Sequence, residues 1–404
     1  MNLTVYSQFA GNDQLGMVYG TYHLANEWRK SGHKVTIVSA SFSHTRHTQP
    51  DVGWSLVKTE NIMGIKYVWI KTISHRSNNL PIRLLNIAIF TFMASLYAIG
   101  RQVVGEARVI CSSHHPFAVI PAWLDARKNA STLTYEIRDL WPLSLLQIAE
   151  LSKYNPIYQL MNFFEGVAIS CSDNVVSVLS NVDSYLCRYA NAPKSTYIPN
   201  GFAPVKSEQS DLPNTIKERI RLDKANENLI IAYTGSLGYA NRLDELLQVI
   251  ALLKDQKVAL YIAGSGARED VFLDKLDRLD ISGKVVFVSE INRAGVFDLL
   301  SFSDVGYIGY LDLQLYDYGI SPTKINDYLY SEVLVLFLAD IPLGDIGDCP
   351  SVTQCFSIDD LHFKIQSLIQ CRDDIKKYAL LGREWVEMNR SYEKLAHKFI
   401  EVIS

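Results

Sequence analysis

Six cysteines are scattered through 404 residues, with no Cys-x-x-Cys pair and no His/Cys cluster at metal-ligand spacing. A disulfide framework and a zinc site are therefore excluded, and Cys111, Cys171, Cys187, Cys349, Cys355 and Cys371 read as reduced, mostly buried thiols of a cytosolic protein. The N-terminus, MNLTVYSQFAGNDQLG, lacks a basic start followed by an apolar core, so it is expected to form a first strand rather than a signal peptide. No Gly-x-Gly-x-x-Gly is present, and no clear ribose-reading acid follows the second strand, which weakens a nicotinamide-binding reading. No Asp-x-Asp in a metal-ligand context stands out, since Asp359-Asp360 and Asp373-Asp374 lie away from the glycine loops. The sequence also lacks low-complexity tracts and short tandem repeats.

What is present is enough apolar residue, 48%, to fill two substantial cores, and at this length two domains are the default. Charge is uneven. Residues 1–200 carry 17 Lys/Arg against 12 Asp/Glu, a net +5, which leaves −9 for the remainder. Between Lys71 and Arg108 the basic residues Lys71, Arg76, Arg83, Arg101 and Arg108 face only Glu106. Inside that frame lies Leu84–Ile99, sixteen residues without a charge. A membrane span needs about 20 apolar residues. The run is thus expected to be a core helix or one lying in a membrane interface, and the flanking arginines favour an anionic surface or a lipid diphosphate.

Apolar stretches alternate with helix-like periods, the pattern of parallel α/β sheets. Leu3–Ser7, Val35–Ser39, Arg108–Ser112, Leu133–Ile137 and Asn174–Val178 are expected strands of a first sheet, with Gly16–Lys30 as its first crossover helix. A second set restarts at Leu229–Thr234 and continues through Ala259–Ala263, Val285–Val288, Val305–Ile308 and Val333–Leu338. Two Rossmann-like units follow, 1–200 and 201–384, joined through the Pro-, Ser- and Asn-rich segment 200–215. Trp385, Met388, Tyr392, Leu395, Phe399 and Ile403 recur at helical spacing, predicting a last helix over 385–404.

In such sheets ligands meet the loops at the carboxyl ends of strands. The most informative of these is SPTKINDY, residues 321–328. Pro322 and Thr323 lead into a helix whose N-terminus, together with Lys324, can face a diphosphate, while Asp327 one turn on can face a ribose. An ordinary helix with Pro322 at its first position and a solvated polar face is the alternative. In AGNDQLG, ending at Gly16, and in YTGSLG, with Gly235 and Gly238, glycines let backbone N–H groups approach an anion. Arg242 is expected in the first turn of the helix after YTGSLG, where it can neutralise phosphate; an αL turn with a solvated arginine is the competing reading. His114 and His115, in SSHHPF, are candidate catalytic or substrate-orienting groups, and at most one of two adjacent loop histidines faces a ligand.

Taken in order, the glycine loop, RDLWP at residues 138–142, IPNG at 198–201, YTGSLG and SPTK resemble retaining glycosyltransferases of family 4. The resemblance spans the whole chain. It implies the GT-B fold, two Rossmann-like domains with parallel sheets facing a central cleft. The first would bind the acceptor, with the last helix packing back on it, and the second would bind the donor. The RDLWP string is similar to a branch that adds N-acetylfucosamine-type sugars to lipid-linked O-antigen or capsule precursors. That resemblance implies a UDP-sugar donor and an undecaprenyl-diphosphate-linked acceptor at the inner membrane face. It makes Arg138 a candidate for the acceptor pyrophosphate and Asp139 one for orienting the acceptor or taking its proton, against a buried ion pair holding the turn. Asp327 falls on the family's second acidic position and Gly319 on the first, so half of the family's acidic pair is missing. No metal is expected and no nucleic-acid partner. A nucleotide-sugar epimerase of the same fold, or an inactive assembly partner, stays open at this point.

Overall fold

The computed structural model describes the chain apart from residues 17–19, 44, 45, 47, 75–79, 205–208 and 267. Arg76 and part of the expected linker thus lie outside the described residues. The chain divides into two units, one made of Met1–Gly201 with Tyr392–Ser404, the other of Phe202–Ser391.

The first unit is built on eight strands: β1 Asn2–Tyr6, β2 Lys34–Ala40, β3 Val57–Ile62, β4 Ile65–Ile70, β5 Ala107–Ser113, β6 Thr132–Ile137, β7 Asn174–Ser177 and β8 Ser195–Tyr197. Their order is β3-β4-β2-β1-β5-β6-β7-β8. Every pairing is parallel except the β3–β4 hairpin, and Leu3 of β1 is opposite both Val35 and Arg108. The buried strands read as nearly continuous apolar runs because helices cover the sheet. On one face, helix Gly20–Lys30 buries Tyr22, Leu24, Ala25 and Trp28. There Trp28 stacks edge-on against Phe399, centroids 5.1 Å apart, and donates its indole N–H to the Ala396 carbonyl at 3.1 Å. The helix Tyr392–Ile403 therefore shares the core of this unit.

The expected single helix over 385–404 is two helices, Asp373–Asn389 and Tyr392–Ile403. The break falls at Arg390, which is 3% exposed and reaches both carboxylate oxygens of Asp345 at 2.7 and 2.9 Å. A buried charge held in that bidentate pair fixes the chain's exit. Trp385, under the Arg390 guanidinium, packs on the core of the second unit. The first crossover helix is described from Gly20, and Gly16, expected to open it, has φ +72° and pairs with Asn12 in an isolated bridge.

The uncharged run also lies in a longer helix than expected, Leu80–Gly100, whose segment Pro81–Gly100 is long and apolar enough to cross a membrane by length and composition. It is the crossover from β4 to β5, strands of one sheet, and it packs on helix Val119–Lys128. Ile87, Phe90, Ala94 and Ala98 are buried at helical spacing, while Leu85, Phe92, Leu96 and Ile99 are exposed. One face of this helix is thus core, as one of the two expectations has it, and the other is exposed.

The second unit has six parallel strands: β9 Leu229–Thr234, β10 Val258–Ala263, β11 Val285–Val288, β12 Val305–Gly309, β13 Leu334–Leu338 and β14 Val352–Cys355, in the order β11-β10-β9-β12-β13-β14. In each sheet the winding reverses beside the first strand, between β1 and β5 and between β9 and β12. Loops splay apart at such switch points, and the carboxyl ends of these four strands hold most of the candidate residues.

Candidate active site

In the second unit, β9 runs into Gly235, with φ +134°, whose N–H donates to the Ala263 carbonyl at 2.9 Å. The loop after β10 closes onto it. A Cβ on Gly264, whose φ is +151°, would lie 1.9 Å from the Gly235 oxygen, and one on Gly266 would lie 2.7 Å from Leu237 backbone atoms. Two glycine loops thus lie backbone to backbone, a contact that no side chain permits. Gly264→Ala combines that clash with a left-handed φ, so it should cost about 2–4 kcal/mol of stability, read as a lowered denaturation midpoint. Gly238 is different: its φ is −105° and a Cβ there would meet Asn241 at an ordinary 3.5 Å.

Lys324 reaches the glycine loop from the other side of the switch point. Its Nζ would be 3.0 Å from a Cβ on Gly235, lies 3.3 Å from the Tyr233 hydroxyl and sits 4.3 Å from that ring's centroid. The Tyr233 hydroxyl donates to the Ser236 carbonyl at 2.6 Å, and burial keeps the phenol neutral by raising its pKa. Lys324 therefore has a π face and a neutral oxygen beside it. Although half-exposed, it is crowded by protein, and that desolvation takes its pKa from 10.5 down to about 8. Pro322, at the first helical position in the alternative reading, is instead the N-cap of helix Thr323–Tyr330, and it supplies no side-chain cap to that start. Uncapped N–H groups, a glycine loop and a desolvated ammonium form an anion-binding arrangement.

Asp327, one turn on, pairs with Arg293 at 2.9 Å, and Arg293 also donates to the Ala203 carbonyl at 3.2 Å. Burial raises the carboxyl and Arg293 opposes it. Arg242 is not in the first turn but at the N-cap of helix Leu243–Leu252, with φ +49°. Its carbonyl accepts the Tyr307 hydroxyl at 2.8 Å and its side chain pairs with Glu245 at 3.2 Å. Gly319 has φ +110°, a backbone that an acidic side chain would strain, which accounts locally for the missing first acid.

In the first unit, the loop after β1 is wound around Asn12, whose Oδ1 accepts the N–H groups of Gln14 and Leu15. Arg46, 5% exposed, donates to the Ala10 and Ala40 carbonyls and the Ser39 hydroxyl, and lies over the Trp69 ring. It fixes the path of the glycine loop. The two histidines after β5 part company. His115 is 1% exposed, its Nε2 lies 2.5 Å from Gln8 Oε1, and Gln8 in turn donates to Asn86 of the apolar helix at 2.8 Å. An amide oxygen only accepts, so Nε2 carries the proton. Burial lowers the His115 pKa to about 3, which makes it a neutral group inside the fold rather than one offered to substrate. His114 is half-buried against Phe9.

Arg138 pairs with Glu136 at 2.9 Å and donates to Asn200 Oδ1 at 2.7 Å, tying the end of β6 to the Pro-Asn-Gly turn. Burial disfavours its charge, but Glu136 and the neighbouring acids outweigh that and raise its pKa. The ion pair of the alternative reading, Arg138 with Asp139, is thus made instead with Glu136, two residues back on the same side of the strand. Asp139 is exposed at the end of β6, and crowding by protein raises its carboxyl against the pull of Arg138. Gln8, Arg46, Glu136, Tyr233 and Arg293 were not singled out from the sequence; among them only Glu136, by the period of two along β6, left a readable signal.

Known families match segments of both units. Residues 16–205 match the Glycosyltransferase Family 4 model and residues 214–306 match that for Glycosyl transferases group 1. The protein is a glycosyltransferase. Among curated relatives, the uncharacterized glycosyltransferase MJ1607 of Methanocaldococcus jannaschii is 22% identical over 293 residues, which is 70% of this chain and 67% of the relative. Sucrose-phosphate synthase from Thermosynechococcus elongatus superposes with a TM-score of 0.71 at 14% identity, covering 99% of this chain and 97% of that one. WaaG, a glycosyltransferase involved in lipopolysaccharide biosynthesis, gives 0.65 at 15% identity with both chains fully covered. Anabaena HepE in complex with UDP gives 0.64 at 10% identity, covering 99% and 98%. At these identities the structural likeness establishes the GT-B fold of the transferase.

Proposed function

We propose that this glycosyltransferase moves a sugar, an N-acetylated amino-deoxyhexose, from a UDP donor to an undecaprenyl-diphosphate-linked acceptor in bacterial surface polysaccharide synthesis, with retention at the anomeric carbon. The observation that carries the donor half of this reading is Lys324, held 3.0 Å from the Cβ position of Gly235 at an uncapped helix start. When the anomeric bond breaks, negative charge grows on the departing diphosphate, and a fixed ammonium with helix N–H groups lowers that barrier. Thr323, Gly235 and Gly238 approach the diphosphate through their backbone, and Asp327, held by Arg293, faces the sugar or ribose. HepE was solved with UDP, which supports a UDP donor here.

Asp139 is the group on the first unit that orients the acceptor hydroxyl or takes its proton, with His114 beside it in the order of the sheet. Arg138 and His115 act through position, holding Asn200 and Gln8. Front-side attack by the acceptor needs no protein nucleophile, and the reading needs no metal. The exposed stripe Leu85, Phe92, Leu96 and Ile99, on a helix whose other face is core, suits docking on the cytoplasmic leaflet next to a lipid-linked acceptor. WaaG's part in lipopolysaccharide biosynthesis supports a role of that kind.

The test is transfer in vesicles of anionic phospholipid carrying undecaprenyl-diphosphate-linked N-acetylglucosamine, with a panel of UDP-N-acetylhexosamines and EDTA present. A lipid-linked disaccharide of unchanged anomeric configuration is expected, with the protein floating with the vesicles. Inverted product, or activity that EDTA abolishes, contradicts the mechanism.

A further inference from the structure

The turn between β2 and β3 holds a tryptophan almost entirely in solvent. Trp54 is 97% exposed, yet the turn that carries it is built rather than loose. Asp51 Oδ1 accepts the Gly53 N–H at 2.9 Å, Lys58 donates to the Asp51 carbonyl at 2.5 Å, and Lys71 donates to the Gly53 carbonyl at 2.7 Å. The Lys71 ammonium also lies 5.6 Å from the centroid of the Trp54 ring. Beside this turn, at the carboxyl ends of β2 and β4, opens a groove of about 260 Å³ lined by Ser41, Gln49, Asp51, Lys71 and Thr72, among others. The Ser41 hydroxyl accepts the Thr72 N–H at 3.0 Å and the Thr72 hydroxyl accepts the Phe42 N–H at 3.3 Å, so the two strand ends that form the groove are pinned together.

The chemistry of this lining is specific in kind. Hydroxyls, an amide, one carboxylate and one ammonium, set among Phe42, Pro50 and Val52, give donors and acceptors beside apolar surface with little net charge, which suits a polyol with C–H faces better than a phosphate. A flat indole beside such a groove suits a pyranose, whose ring has an apolar C–H face and a rim of hydroxyls. We propose that the Trp54 turn and the β2–β4 groove form a saccharide subsite that holds a sugar unit of the acceptor glycan away from the reacting hydroxyl. In the sheet order β4-β2-β1-β5-β6, the groove lies three to four strands from β6, whose end carries Asp139. At about 4.8 Å per strand that is roughly 14–19 Å, the length of about three or four sugar residues. An acceptor that already carries an oligosaccharide is therefore held more tightly than a single lipid-linked sugar, which has no further unit to fill the subsite. The inference rests on the reading of the protein as a transferase with a glycan acceptor.

The test uses the full-length protein on an array of defined bacterial surface oligosaccharides, with Trp54→Ala, Trp54→Phe and Lys324→Ala alongside, and UDP titrated separately by calorimetry. Because Trp54 contributes nothing to the core, its replacement should leave the folded state intact. Wild type and Lys324→Ala should bind a common set of glycans, Trp54→Ala should lose about tenfold of that signal, and Trp54→Phe should keep most of it. UDP binding should be unchanged in both Trp54 variants. Glycan binding by Trp54→Ala at the wild-type level, or no glycan bound by wild type, overturns the subsite. Loss of the donor reading would show separately, as wild type that binds glycan but not UDP.

Discussion

Lys324→Ala is expected to lower kcat/KM for the UDP-sugar by about 10²–10³-fold while the protein stays folded, because a charge that acts on the departing diphosphate is removed from a crowded site. The ammonium is depressed to about 8 by desolvation alone, and no carboxylate is among the causes of that shift. The sign of the pH effect follows. Below about pH 8 Lys324 is charged and binds diphosphate; as pH rises through 8 it becomes neutral and donor affinity falls. A bound diphosphate stabilises the charged form, so UDP binding near pH 8 should take up protons. Titrations in buffers of different ionisation enthalpy read that uptake directly. Lys324→Ala should abolish both the uptake and the loss of affinity above pH 8. Unchanged kcat/KM in the variant would remove Lys324 from the site.

Asp139→Asn is expected to leave UDP affinity as it is and to depress transfer by about 10²–10⁴-fold, the range for loss of a positioned acid–base group. Asn keeps the size and one acceptor oxygen but cannot take a proton. Crowding by protein raises the exposed Asp139 carboxyl above its ordinary 3.8 and Arg138 only partly offsets this. The carboxylate is therefore lost, as pH falls, earlier than an ordinary aspartate would lose it, and the acid limb of the rate profile should lie at correspondingly higher pH. That limb should vanish in Asp139→Asn. An acid limb that survives the substitution belongs to another group, and equal activity in the two proteins would mean that Asp139 is only a surface charge.

These two residues were legible in the sequence for a physical reason: both follow directly on a strand or open a helix, where local signals are strongest. The ten strands read from apolar runs are all present because parallel strands buried on both faces hide no polar period. Three of the four that went unread fail that condition, whereas Ile65–Ile70 went unread although it is buried except at Lys66. Val57–Ile62 alternates half-buried and exposed residues at the sheet edge, and Ser195–Tyr197 is three residues long. The long final helix misled because its apolar spacing runs on across Arg390, whose partner Asp345 lies 45 residues away. Side-chain commitments were harder still. Nothing local tells His115 from His114, and only the fold, by bringing up Gln8, turns one inward. Asp327 finds Arg293 34 residues away and Lys324 finds Tyr233 91 residues away, distances over which a single sequence has no period to read. Gly319 shows the reverse case. The absent acid looks like a lost function in the sequence, whereas φ +110° shows a backbone that suits glycine at that position.

Calorimetric titration of UDP, GDP and NAD into the wild-type protein and into Lys324→Ala tests the central claim most directly. Selective UDP binding by wild type, lost in the variant, is the expected result. Binding of NAD in place of UDP, or UDP binding of equal strength in both proteins, would contradict a nucleotide-sugar site built on Lys324 and the glycine loop.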